Sequence, residues 1–261
     1  IWDRSYGLPF WKIDFEKGSS VDGFEGDEKW KVEPGFVGEQ SPVKVDEQMA
    51  TTIPGMYAAG DVCYDGSCAP GAVPAPPGRN RGSGILNAVF AGVVSGQQAA
   101  AYAAENTQQP VDDTQIEKLK EDAFAPLFRE EGVRAKEVID KIQQLVCPVE
   151  NSVYMSQHRL DVCLRKLAQI KPMVAQLKAE DFHDLLSCHE AEAMVLSAEM
   201  QFKGASMRKE SRGWFLREDY PQMDNENWLK WIVCENDNGA MKFSTEDVPI
   251  ETYQVQPPRF H

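Results

Sequence analysis

Residues 51–100 read TTIPGMYAAGDVCYDGSCAPGAVPAPPGRNRGSGILNAVFAGVVSGQQAA: a turn, a short apolar run, a long Gly/Pro loop and a helix dense in small residues. Ile53-Pro54-Gly55 carries the residues a tight turn favours, Pro for its fixed φ and Gly for a positive one. Met56-Tyr57-Ala58-Ala59 predicts a short buried strand that stops at Gly60-Asp61. A carboxylate at the exposed end of such a strand can accept hydrogen bonds from ligand hydroxyls, or it can cap a turn. The run from Ile85 to Gly96 is apolar all round with glycines four apart, which suits a buried helix packed closely against another backbone. Its start follows Arg81-Gly82-Ser83-Gly84 in a loop with two arginines, and its free N–H groups and positive dipole end favour negative charge on a ligand. A dinucleotide cofactor that becomes anionic on reduction would be stabilised there.

Composition bounds the rest. The 261 residues suffice for one large or two small domains, and 42% hydrophobic with 26% charged is ordinary for a globular protein. A formal charge of −14 argues against nucleic acid or an anionic membrane surface as partner. No apolar run approaches the roughly 18–20 residues of a membrane span. The six cysteines include no C-x-x-C pair, so free thiols in a reducing cytoplasm are expected. Cys63 and Cys68, flanking a turn, are the weaker metal-ligand alternative.

Residues 1–50 show little periodicity, with Trp2, Trp11 and Trp30 among polar and turn residues. Val43-Lys44-Val45-Asp46 alternates as a strand and is expected to pair near the 56–61 strand. The composition turns from Gly/Ala to mixed charge near residue 112, which places a domain boundary at 106–113 and divides the chain into residues 1–110 and 111–261. Val111-Asp112-Asp113-Thr114 offers helix-starting residues. Helical spacing of apolar residues predicts helices over 131–146, over 154–178 with a kink at Pro172, and over 182–207. With short connections these read as an antiparallel bundle of three. His158, His183, His189, Met194 and Met200 fall in these helices as packing or surface residues.

Then comes Met207-Arg208-Lys209-Glu210-Ser211-Arg212-Gly213-Trp214-Phe215-Leu216-Arg217-Glu218-Asp219-Tyr220-Pro221, running on to Asp224-Asn225-Glu226-Asn227-Trp228-Leu229-Lys230-Trp231. Cations and carboxylates alternate with aromatic residues between them. The pattern predicts a partly buried ion-pair network locking a helix end to a neighbouring domain, with Arg as the bidentate cation. The closing Met241–Ser244 and Val248–Ile250 read as a short strand and tail.

The R-x-E-S-R-G-x-x-x-R-E-D-Y-P…D-x-x-N-W-L-K pattern is similar, almost residue for residue, to the C-terminal signature of the fumarate reductase/succinate dehydrogenase flavoprotein superfamily. Gly55-Met56-Tyr57-Ala58-Ala59-Gly60-Asp61 resembles that family's GLYA-x-G-[DE] segment, and Arg79-Asn80-Arg81-Gly82-Ser83-Gly84-Ile85-Leu86 its NRLGGNSLL-type element, less closely. The likeness spans about residues 43–250. It implies an α/β plus α fold: the C-terminal part of a Rossmann-like FAD-binding domain, then a three-helix bundle with a short β tail.

The resemblance also implies FAD as cofactor, with Asp61 on the flavin ribitol and Gly60, Ser83, Gly84, Ile85 and Leu86 around the flavin. It implies an active-site Arg at Arg79, or at Arg81 if the loop carries a two-residue gap. Hydride exchange between flavin N5 and a small anionic substrate is the implied reaction, and an iron–sulfur electron-transfer subunit the implied partner. Localisation would be cytoplasmic, or at the inner face of a membrane through partner subunits. Two departures matter. The family's substrate-binding His would fall near Val37, where there is none, which leaves the substrate open between fumarate or succinate and those of adenylylsulfate reductase or L-aspartate oxidase. The G-x-G-x-x-G unit that receives the FAD pyrophosphate is missing too, so a larger flavoprotein or a second polypeptide is expected to supply it. A non-catalytic docking module is the remaining alternative.

Overall fold

The computed structural model describes residues 43–64, 84–107, 110, 112–212 and 215–252, and before them the backbone of four two-residue strands. Those are β1 (Trp2–Asp3) with β2 (Leu8–Pro9), and β3 (Ser20–Val21) with β4 (Phe24–Glu25), each pair antiparallel. The chain divides into two compact units, one with the residues up to Thr107 and the other Gln108–Thr252.

In the first unit, Pro54 and Gly55 fold the chain back on itself. The Met56 N–H donates to the Ile53 carbonyl at 3.0 Å and Gly55 sits at φ 79°, a type II turn. The turn returns residues 56–58 against 49–51 through one antiparallel bridge, Ala50 to Tyr57. The expected buried strand over 56–59 is therefore not regular, and Met56 is exposed while Ala58 is buried. Met49 at φ 62° and Gly60 at φ 75° break the extended backbone on either side, which leaves a single bridge rather than a ladder. β5 (Val43–Lys44) pairs in parallel with β6 (Cys63–Tyr64), just beyond the segment the alternation pointed to.

α1 (Gly84–Glu105) departs from expectation in its surroundings. Ile85, Val89, Phe90 and Val93 are exposed, and Ala91 is buried. A Cβ on Gly92 or Gly96 would meet nothing within 4 Å. Among the described residues the glycines that approach α1 closely lie outside it: a Cβ on Gly60 would meet that of Ala88 at 3.3 Å, and one on Gly55 the Tyr102 ring at 2.7 Å. The small residues of α1 are thus only partly used within the described structure.

The second unit follows in order as α2 (Asp113–Phe124), β7 (Val133–Arg134), α3 (Ala135–Val146), α4 (Val149–Ser152), β8 (Tyr154–Met155), α5 (Gln157–Val174), β9 (Leu177–Lys178), α6 (Phe182–Met207), β10 (Leu216–Arg217), α7 (Asn225–Trp228), β11 (Lys230–Asp237) and β12 (Ala240–Asp247). Carboxylates start the helices: Asp112 accepts from the Thr114 and Gln115 N–H groups of α2, and Asp181 from those of His183 and Asp184 in α6. Apolar residues at helical spacing then build one core. α3 contributes Val138, Ile142 and Leu145, α5 Leu160, Cys163, Leu167 and Ile170, and α6 Leu185 through Ala205.

Three helix bounds shift for local reasons, the first being the start of α5 at Gln157 rather than 154, because Tyr154–Met155 pairs in parallel with Leu216–Arg217. α3 starts at Ala135 rather than 131 because Val133–Arg134 pairs in parallel with Leu177–Lys178. That pairing also ends α5 at Val174, soon after Pro172, whose missing N–H cannot extend the ladder. The chain's longest strand pair was anticipated only in part. β11 and β12 form an antiparallel ribbon of eight residues each, closed by Asn238 at φ 53° and Gly239 at φ 89°. An Asn-Gly pair between alternating strands is the strongest short hairpin signal. Among the described residues no helix is long and apolar enough to cross a membrane.

Candidate functional site

Of the residues singled out for a cofactor, the structure describes one group of backbone positions. Gly60–Val62 forms a single 3-10 turn with Gly60 at φ 75°, a conformation side chains rarely adopt. Its contact with Ala88 sets this turn beside the first turns of α1. α1 carries no acidic residue in its first turn, so no side-chain charge there opposes an anion at its free N–H groups. Tyr57, just ahead of the turn, donates to the Gln98 carbonyl of α1 at 3.3 Å, fixing the segment along the helix. The side chains of Asp61 and Leu86 lie outside the described residues, as do Arg79, Arg81 and Ser83 entirely. Ile85 projects from the helix start, 82% exposed.

These features suit the group that the family likeness implies. A glycine turn at positive φ beside the start of a helix whose own first turn carries no acid leaves backbone that a flavin's ribityl chain and ring edge could approach. Gly60, Asp61 and the N–H groups of Gly84–Leu86 are the residues that would hold it.

The Arg/Glu-rich stretch is fully placed except Gly213 and Trp214, and it forms a buried network within the second unit. Glu210 is 0% exposed. Its Oε1 accepts from Arg212 Nε and its Oε2 from Arg212 Nη2, each at 2.8 Å, a bidentate pair. Arg208 Nη1 donates to the same carboxylate, and the Asp224 N–H donates to Oε2 at 2.9 Å. Arg208 also reaches the Trp228 and Lys230 carbonyls and lies 5.6 Å from the Trp228 ring centroid. Arg212 Nη2 completes its set on Asn225 Oδ1 at 2.8 Å.

Arg217 is the second centre, also 0% exposed. Nε and Nη2 hold the two oxygens of Asp219 at 2.8 Å. Nη1 donates to the carbonyls of Ala205 at 2.7 Å and Arg208 at 2.9 Å, and Nη2 to Gln157 Oε1 at 3.2 Å. All five guanidinium N–H groups are thereby used. Asp219 in turn accepts from the Gln157 N–H at 2.9 Å, capping α5 from across the chain. β10 runs parallel to β8, and Ser211 Oγ accepts from the Arg217 N–H at 2.8 Å. The network thus ties the end of α6, the start of α5 and the start of the β11–β12 ribbon. Every partner just named lies in the second unit, so among the described residues the network fixes helix ends to one another within that unit.

Arg217's hydrogen bonds, with Gln157's N–H and Arg217's charge adding to them against a push from burial, lower the Asp219 carboxyl from 3.8 to about 2. A carboxyl acidified by folding stabilises the fold above its unfolded pKa, and that contribution is lost as pH falls through the folded one. The shift corresponds to about 2 kcal/mol before screening, and with the side chain 31% exposed about 1 kcal/mol is expected. Asp219→Asn should therefore lose about 1 kcal/mol at neutral pH. As pH falls from about 4 to about 2 it should converge on the parent protein, in urea unfolding followed across pH. Parallel pH profiles for the two proteins would contradict the assignment.

Elsewhere, Glu199 is nearly buried between Lys171 and Lys203. Burial pushes its carboxyl up, but hydrogen bonds and charge from the two lysines outweigh this and lower it overall. Cys63, Cys147, Cys163, Cys188 and Cys234 are free thiols, and Cys68 lies outside the described residues. His158, His183 and His189 are exposed, and among the described residues no His, Cys, Asp and Glu cluster could hold a metal.

Residues 141–260, which contain the whole network, match the family described as fumarate reductase flavoprotein C-term. The chain is 25% identical over 224 residues to the succinate dehydrogenase flavoprotein subunit of Bacillus subtilis, covering 79% of this chain and 36% of that one. Its fold is shared with Escherichia coli quinol fumarate reductase, at a TM-score of 0.67 and 23% identity over 83% of this chain and 37% of that one. Adenylylsulfate reductase of Archaeoglobus fulgidus shares it too, at 0.64 and 22% over 81% and 34%. The chain thus spans about a third of the length of the relatives it matches. The buried Arg208–Glu210–Arg212 and Arg217–Asp219 pairs lie in a region, residues 141–260, that matches the fumarate reductase flavoprotein C-terminal family, and the chain is similar to succinate dehydrogenase and fumarate reductase flavoprotein subunits.

Proposed function

We propose that this chain is the C-terminal portion of an FAD-dependent oxidoreductase subunit acting on a small anionic substrate. The observation that carries the reading is the Gly60–Val62 turn held against the first turns of α1 in a chain similar to flavoprotein subunits. Bound FAD would supply hydride exchange at its N5 atom. The chain's own residues would do the rest. Asp61 would accept hydrogen bonds from ribitol hydroxyls, Ser83 would add a donor, and the N–H groups of Gly84–Leu86 would stabilise negative charge on the ring. Arg79, with Arg81 as the alternative, binds the substrate's anionic group and moves the proton that accompanies hydride transfer. Such an Arg acts as an acid only where its surroundings make a permanent cation yield a proton. The remainder of the FAD site comes from the rest of a longer subunit or a second polypeptide. An iron–sulfur subunit passes electrons onward, in the cytoplasm or at the inner face of a membrane.

A second reading keeps the flavin and changes the substrate to adenylylsulfate or that of L-aspartate oxidase. It is favoured by the absence of any His in Phe36-Val37-Gly38-Glu39-Gln40-Ser41. One experiment separates them. The complete native flavoprotein is reduced anaerobically and its flavin absorbance followed after fumarate is added. Rapid reoxidation supports fumarate chemistry, and Arg79→Ala should then slow it by about 100-fold or more, with Arg81→Ala milder. The reverse order would move the role to Arg81. A bound, reducible flavin that ignores fumarate removes that substrate and turns the test to adenylylsulfate. A native protein without flavin overturns the proposal.

A further inference from the structure

α6 is apolar on two opposite faces. One face, Leu185, Cys188, Ala191, Val195, Ala198 and Phe202, is buried in the core. The other carries Phe182, Leu186, His189, Ala193 and Leu196 at i, i+4, i+7, i+11 and i+14, all of them exposed. Phe182 is 73% exposed, Leu186 55% and Leu196 52%. A surface helix ordinarily turns polar residues outward, and an apolar stripe at this spacing is what a partner helix packs against. At the N-terminal end the surface widens. The Phe124 ring stands edge-on to that of Phe182 at 6.4 Å, and Phe128 is 81% exposed. The five large side chains expose on the order of 500 Å² of apolar area, a size typical of interaction patches.

Charge selects the occupant. By helical spacing Glu190 and Glu192 flank the stripe on its two sides, and from Ala179 to Phe202 the chain has six carboxylates and no Lys or Arg. Glu180 is paired with Arg134 and Glu199 with Lys171 and Lys203, but a second copy packed on the same stripe would set Glu190 and Glu192 against their counterparts with no Lys or Arg of this segment to offset them. A helix bearing Lys or Arg beside its own apolar stripe would instead pair with them. We propose that the outer face of α6 docks such a basic amphipathic helix, carried by another subunit of the same complex. The proposal rests on the reading of the chain as part of a flavoprotein subunit.

The test uses the native complex and the flavoprotein separated from it. Hydroxyl-radical footprinting reads side-chain exposure at Phe182 and Leu186, and a carbodiimide joins carboxylates to nearby lysines. Both residues should be protected in the complex and open in the separated flavoprotein, with Glu190 or Glu192 joined to lysines of a different polypeptide. Phe182→Ser with Leu186→Ser should leave melting and flavin content of the flavoprotein unchanged. It should also weaken its affinity for that polypeptide at least about 100-fold. Protection that persists after separation would mean the subunit covers its own stripe, and links between two copies would mean self-association. Either result, or an unchanged affinity, overturns the proposal. A complex without flavin would overturn the functional reading instead, leaving the footprint to be judged by itself.

Discussion

Replacing Arg217 with alanine is expected to lower the unfolding free energy of the C-terminal unit by about 4 kcal/mol, a loss large enough to populate unfolded protein at physiological temperature. The guanidinium is completely buried and serves Asp219, Gln157 and the carbonyls of Ala205 and Arg208 at once. Alanine leaves those carbonyls without their donor and opens a cavity, while Asp219, partly exposed, recovers some hydration. The same cut frees the end of α6 from the start of α5, because Asp219 caps α5 only while Arg217 holds it in place. Lysine keeps the charge but has three donors on one nitrogen and cannot span these acceptors, so Arg217→Lys should cost about 2 kcal/mol. Urea unfolding read by circular dichroism at neutral pH decides this. A midpoint within error of the parent protein would show that the pairs are a consequence of the fold and add nothing to its stability.

The importance of this stretch was legible because its chemistry is local. Arg and carboxylates alternating among Trp, Phe and Tyr cannot all be solvated, and residues 208–219 duly include three that are almost wholly buried: Glu210, Arg212 and Arg217. The direction of the lock was not legible. Spacing along a sequence does not say which carbonyls a guanidinium will meet, and Ala205, Gln157 and Trp228 are reached only once α5, α6 and the ribbon have assembled. α6 itself was readable to the residue, since Asp181 caps it and no proline interrupts it. α5 was read as too long because the stripe continues past Pro172, and what ends the helix is the pairing of Leu177–Lys178 with a segment more than forty residues earlier.

The cofactor end shows the opposite balance. A glycine at positive φ against Ala88 explains why Gly60 precedes Asp61, and only the folded chain reveals that contact. The apolar circumference of α1 suggested burial, yet Ile85, Val89, Phe90 and Val93 are exposed. Hydrophobicity announces that a face will be covered, and it does not say by what. The same rule applies to α6, whose apolar residues divide between a buried and an exposed face.

Glu210 offers the sharper test of how the network is balanced. Two guanidiniums, Arg208 and Arg212, converge on this one buried carboxylate, whose Oε2 also takes the Asp224 N–H. Glu210→Gln keeps the shape and removes the negative charge that both cations share, so each loses that counterion in a site nearly closed to water. A cost of about 3–4 kcal/mol is expected, in line with breaking a buried pair from one side. Arg212→Met should cost less, about 2 kcal/mol, because Arg208 still pairs with Glu210 and the methionine stem refills much of the space. The two changes together should then cost at least about 1 kcal/mol less than their sum, since the second removes a cation that the first has already stranded. Chemical unfolding of the four proteins in this cycle measures that coupling directly. Strictly additive losses would mean that Arg212 is held by Asn225 and its packing, and that its bidentate geometry on Glu210 contributes shape rather than energy.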